Sequence, residues 1–130
     1  MLKGRCHCGQ VSYESAAEPL RSALCHCTDC RRSAGAPSVA WAFFPTDALK
    51  IDGATSSYAS SEHVLRHFCP HCGSGLFYTN EALIPGITNV RIATLDDPNV
   101  VAPKAQVQVA ERIAWMEQLD EIPEFERYSG

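Results

Sequence analysis

Seven cysteines fall into three tight clusters: Cys6-His7-Cys8, Cys25-His26-Cys27-Thr28-Asp29-Cys30 and Cys69-Pro70-His71-Cys72. Thiolates bind a soft divalent metal strongly, and four of them close a tetrahedral structural site. Three leave one coordination position open, where an outside group can bind and react. Seven cysteines divide into one set of four and one of three. That arithmetic predicts two zinc ions per chain, one structural and one catalytic.

The spacings support the division. In Cys69-Pro70-His71-Cys72 two residues separate the thiolates, so one tight turn brings both sulfurs to a metal. Gly73 suits the positive φ such a turn needs next. Cys6 and Cys8 project to one side of an extended strand, and a bend at Gly9 lets them converge. The two pairs together make a four-thiolate set. The middle cluster joins Cys-x-Cys to Cys-x-x-Cys, so Cys25, Cys27 and Cys30 converge as three ligands. Three thiolates around Zn²⁺ carry a net charge of −1, and an external thiolate makes it −2. Arg31 and Arg32 follow directly and are candidates to offset that charge or hold substrate carboxylates. His7 and His26 lie between cysteines and point the other way on a strand, which argues against ligation. His63 and His67 read as surface or supporting residues.

Competing chemistries fit less well. Ferredoxin and Rieske spacings are absent, so zinc is preferred to an iron–sulfur cluster. No βαβ pattern surrounds the Cys-x-x-Cys, which weakens a redox-pair reading. An odd cysteine count disfavours a disulfide framework.

The elements that must position these residues are mostly strands. Gln10 to Glu14, Arg21 to Cys25, Pro37 to Phe44, His63 to Phe68, Gly75 to Thr79, Asn89 to Leu95 and Gln106 to Val109 have strand patterns. Lys50 to Gly53 ends in a turn. Thr28 to Ala34 is the one short helix, with Thr28 as its expected cap and Gly35 as its stop. Trp41, Phe43, Phe44, Phe77 and Tyr78 are assigned to β core, with a ligand-binding surface as the alternative. The acidic stretch 119–130 is expected to be a peripheral extension of a domain spanning 1–118. At 130 residues and net charge −4 the chain is one domain without the basic face that nucleic acid requires. It has no bilayer-spanning apolar run and no signal-peptide pattern, so the expectation is a cytoplasmic protein.

Cys6-His7-Cys8-Gly9-Gln10-Val11, the run from Cys25 to Ala36, and Phe68-Cys69-Pro70-His71-Cys72-Gly73-Ser74 resemble the glutathione-dependent formaldehyde-activating enzyme family, which shares its domain with centromere protein V. The resemblance covers roughly residues 4 to 116. It implies a mainly β, zinc-containing β-tent fold of antiparallel sheets. It also implies a structural zinc on Cys6, Cys8, Cys69 and Cys72, and a catalytic zinc on Cys25, Cys27 and Cys30. The implied activity joins glutathione to formaldehyde as S-hydroxymethylglutathione, a carbon–sulfur lyase reaction. Many members carry His-Ile before an aromatic near the C-terminus, where this chain has Gln106-Val107 and, later, Trp115.

The mechanism expected is activation of a small thiol, glutathione or a similar one, for addition to an aldehyde. His26, Asp29 and water are the candidate general acids. The alternative is a non-catalytic zinc domain that binds glutathione or a protein partner.

Overall fold

The structure, a computed structural model, describes residues 1–129. Among these residues ten strands form two sheets, joined by one α-helix and several 3₁₀ turns. The strands are β1 (Leu2–Arg5), β2 (Ser12–Ser15), β3 (Arg21–Cys25), β4 (Val39–Pro45), β5 (Leu49–Asp52), β6 (Ser56–Ser61), β7 (Val64–Phe68), β8 (Gly75–Asn80), β9 (Ile87–Arg91) and β10 (Gln106–Val107). The helix α1 spans Thr28–Ala34. The small sheet has the order β1-β2-β5 and the large one β10-β3-β4-β9-β8-β7-β6. The fold is mainly β with one helix, as the sequence patterns predicted. Among the described residues no helix is long and apolar enough to cross a membrane.

Alternation along the central strands gives the large sheet two different faces. Ala42, Phe44, Val90 and Phe77 are buried with Val11 and Tyr13 of the small-sheet region in the main core. Tyr13 meets Phe77 edge to face at 5.3 Å between ring centres. The opposite face carries Cys25, Val39 and Trp41, against which Phe43 and Tyr78 pack. Register aligns its side chains in a row: Phe43 opposite Asn89, Asn89 opposite Tyr78, and Tyr78 opposite Arg66. α1 carries Cys30 to this face.

Several details depart from expectation. The sheets are not wholly antiparallel, because β10 pairs with β3 in parallel. β10 also stops after Val107, since Gln108 takes a left-handed conformation at φ 57°. That kink turns the chain into a 3₁₀ turn, Val109–Glu111, and over the middle cluster. The predicted strand at Asn89–Leu95 begins at Ile87 and passes into a 3₁₀ turn at Ile92. β1 and β6 carried no clear pattern; β6 is a largely exposed Ser-rich strand, Ser56-Ser57-Tyr58-Ala59-Ser60-Ser61. The helix cap is Cys27, whose sulfur accepts from the Cys30 N–H, rather than Thr28. Gly35, left-handed at φ 63°, ends the helix as predicted.

Candidate metal centres and active site

Two turns build the four-cysteine cluster. The first leaves β1, where the Cys6 N–H donates to the Val11 carbonyl and Gly9 N–H returns to Cys6. Cys6 and Cys8 therefore converge through a turn, not along a strand. The second joins β7 to β8, with Cys69 N–H on Ser74 and Gly73 N–H on Cys69. The Ser74 hydroxyl accepts from the His7 N–H at 3.0 Å and clips the turns together. All four sulfurs lie within 4.8 Å of one another. Cys6 and Cys8 sulfurs are 3.6 Å apart, and Cys8 and Cys69 sulfurs 3.8 Å. A tetrahedral ion with sulfur at about 2.3 Å requires sulfur–sulfur separations of about 3.8 Å. The cluster fits such an ion. Backbone N–H groups of Val11 and Cys72 already point at the Cys6 and Cys69 sulfurs. Hydrogen bonds from Ser74, first its hydroxyl and then its backbone, bring the Cys72 thiol down to about 5.

The second cluster gathers Cys25 at the end of β3, Cys27 at the helix cap and Cys30 in the first helical turn. Their sulfurs also lie within 4.8 Å of one another. Cys25 and Cys30 are buried and Cys27 is partly open. Hydrogen bonding from Cys25, against burial and with help from Cys27 and Arg66, brings Cys30 down to about 5. Cys25, which shares its hydrogen bond with Cys30, is pushed up. The three sulfurs form the floor of a cavity of about 410 Å³. Trp41, Phe43, Tyr78, Leu83, Ile84 and Val107 supply its apolar walls. Asp29, Gln108 and Glu111 stand at its exposed edge. Three donors beneath an open, partly apolar cavity are suited to a metal with one exchangeable position.

A model of the glutathione-dependent formaldehyde-activating enzyme family matches residues 1–111. The chain belongs to this family. It resembles an uncharacterised lyase of Schizosaccharomyces pombe, with 30% identity over 80 residues, which is 60% of this chain and 58% of that protein. A Halomonas elongata protein provisionally named a glutathione-dependent formaldehyde-activating enzyme is 35% identical over 86 residues, covering 59% of this chain and 55% of that protein. The matches thus span little more than half the length of these relatives. A crystal structure of a Rhodobacter sphaeroides protein superposes with a TM-score of 0.64 and 25% identity, covering 81% of this chain and 99% of that one.

Within this formaldehyde-activating enzyme fold, the structure sorts the other candidate residues. Arg31 and Arg32 do not line the cysteine cavity; they border a separate depression with Thr28, Gly35, Pro37, Ile113 and Trp115. Arg31 instead donates to the His26 carbonyl and the Thr28 hydroxyl. His26 is fully buried, with Nε2 against Gln106 Oε1 at 2.8 Å, and faces away from the cavity. Gln106 therefore supports His26 rather than the cavity wall. His63 is exposed beside Glu62, and His67 lies 3.4 Å from the Thr79 hydroxyl. Of the five aromatics, Trp41, Phe43 and Tyr78 wall the cavity while Phe44 and Phe77 belong to the main core.

The sequence reading passed over Arg66, Asn89, Arg91 and Glu111. Glu111 accepts from both the backbone N–H and the hydroxyl of Thr28, at 3.0 and 2.7 Å, and straps the C-terminal segment over the helix start. Those two bonds, backbone first, hold its carboxyl below the usual range. Arg66 is buried, and two of its guanidinium nitrogens lie 3.8 and 3.9 Å from the Cys30 sulfur. One signal was present: Val64, Arg66 and Phe68 share a strand phase, so Arg66 had to face inward with Val64.

Proposed function

We propose that this chain is a zinc-dependent enzyme of the carbon–sulfur lyase type, which activates a thiol such as glutathione for reversible addition to formaldehyde or a related aldehyde. The supporting observation is the set of Cys25, Cys27 and Cys30 sulfurs at the floor of an open cavity, beside a separate four-cysteine cluster that suits a structural ion. Zinc bound at the three cysteines would supply an open position for a thiolate and a Lewis acid for the aldehyde oxygen.

The chain's own residues supply the rest. Trp41, Phe43 and Tyr78 cover one side of the reacting groups and limit water there. The thiol S–H bond breaks and its proton passes to water, the sulfur electron pair forms the S–C bond, the carbonyl π pair moves to oxygen, and that oxygen takes a proton from water. Asp29 lines the cavity and can relay this proton through water; His26 does not face it. Thiol and aldehyde thus combine to a hemithioacetal with no oxidant or leaving group. Running the same steps backwards cleaves the S–C bond.

Titrating glutathione into the zinc-loaded chain by calorimetry tests the proposal, with Cys27→Ser alongside. Saturable binding that the substitution abolishes, together with faster adduct formation than in buffer, is the expected result. Binding of equal strength in Cys27→Ser would remove the three-cysteine site from the reaction.

A further inference from the structure

Arg66 and Arg91 are unusual among the arginines of the chain. Arg66 is buried, packed with its guanidinium 5.1 Å from the centre of the Tyr78 ring, and its Nε donates to the Ser60 hydroxyl. Arg91 lies over Trp41 at 5.5 Å. A Cβ on Gly75 would sit 2.4 Å from its Cζ, so β8 makes room for this guanidinium by carrying glycine there. Among the described residues neither arginine has a carboxylate partner. Arg91 Nε is buried with no hydrogen-bond partner at all. Burying a cation without a counter-charge is costly, so an anion facing buried Arg66 and half-buried Arg91 is favoured. The sulfur that Arg66 does contact belongs to Cys30.

Charge counting narrows what that anion is. Three thiolates around a divalent ion sum to −1, one short of the two arginines. A neutral fourth ligand leaves the excess positive charge in place, whereas a thiolate brings the local sum to zero. The carboxylates of Asp29 and Glu111 are exposed at the cavity edge, where water screens them. We propose that Arg66, supported by Arg91, is a positioning residue whose charge makes the three-cysteine site select an anionic thiolate over a neutral donor as its external ligand. This rests on the thiol-binding reading of the site and assigns to Arg66 the charge-balancing role first expected of Arg31 and Arg32.

The test uses the full chain loaded with cobalt(II), whose visible spectrum reports the ligands directly. Two small probes are titrated: 2-mercaptoethanol, which binds as a thiolate, and imidazole, which binds as a neutral donor. Arg66→Met is expected to weaken mercaptoethanol binding by about tenfold or more while imidazole affinity stays within about twofold, a selective loss of about 1.4 kcal/mol. Arg66→Lys, which keeps the charge, is expected to recover mercaptoethanol affinity to within about threefold. Arg91→Met, which leaves the Arg66–Cys30 contact in place, gives a second and smaller loss of the same selectivity. It carries the test if Arg66→Met does not fold. Equal thiolate affinity in wild type and variants would overturn the inference while leaving the site a thiol binder. Parallel loss of both probes would make Arg66 merely structural and overturn it too. A wild-type chain whose cobalt spectrum ignores mercaptoethanol would overturn the thiol-binding reading itself.

Discussion

At the scale of single residues, the two cysteine clusters are expected to fail differently. Cys69 is fully buried between two sheets, and its sulfur belongs to a set whose separations match one tetrahedral ion. Metal binding to such a set is folding free energy. Cys69→Ser should therefore lower unfolding free energy by more than about 3 kcal/mol, measured by denaturant unfolding with metal content counted. Cys27→Ser, at a partly open position on a cavity, should leave the transition close to wild type and empty only the second site. Tyr13 offers a pH test. Burial pushes its phenol up to about 12, while the Thr94 hydroxyl eases it back. The folded state thus holds this proton more tightly than the unfolded chain does, whose phenol titrates near 10. Its contribution is fully present below about pH 10 and is lost as pH rises toward 12, an effect of about 2–3 kcal/mol. Across that window Tyr13→Phe should show a flatter decline in stability than wild type; parallel declines would sink the assignment.

At the scale of elements, the four-cysteine cluster is the joint between the small and large sheets. β1 is four residues long and β2 likewise, too short to hold their place by pairing alone. Strong chelation should therefore release residues 2–15 first, seen as fast amide hydrogen exchange there while β4 and β9 stay protected. The turn after β5 is a second pinning point. Gly53 has φ 101°, and a Cβ there would lie 2.2 Å from the Gln10 carbonyl oxygen. Gly53→Ala should cost about 2 kcal/mol or more, since both the dihedral and the space exclude it. Element types were mostly legible because alternation and turn residues are local. β1 and the Ser-rich β6 were not, since their strand character comes from neighbours that pair with them. The end of β10 was missed because only a left-handed Gln108 stops it, and glutamine carries no turn signal.

At the scale of the whole molecule, residues 119–129 are all exposed, the short turn Leu119–Glu121 included, and we propose that the domain closes at residue 118. Ending the chain there should leave the melting temperature within about 2 °C of wild type, because little buried surface is lost. The cysteines themselves, their spacing and their split into four and three could be read from the chain, as could the family. Ligand sets within a few residues depend on local turn geometry, which spacing encodes. What lies above the three-cysteine floor could not be read that way. Arg66, which touches Cys30, Asn89, which lines the same cavity, and Arg91, which lies over Trp41, come from strands far along the chain, and strand order and register place them on one sheet face. By the same token Arg31 and Arg32, adjacent to Cys30 in sequence, are turned to another depression by the helical rotation that follows each residue. Proximity in sequence grouped Cys25, Cys27 and Cys30; the fold brought Cys6 and Cys8 to Cys69 and Cys72 and set the charges beside Cys30.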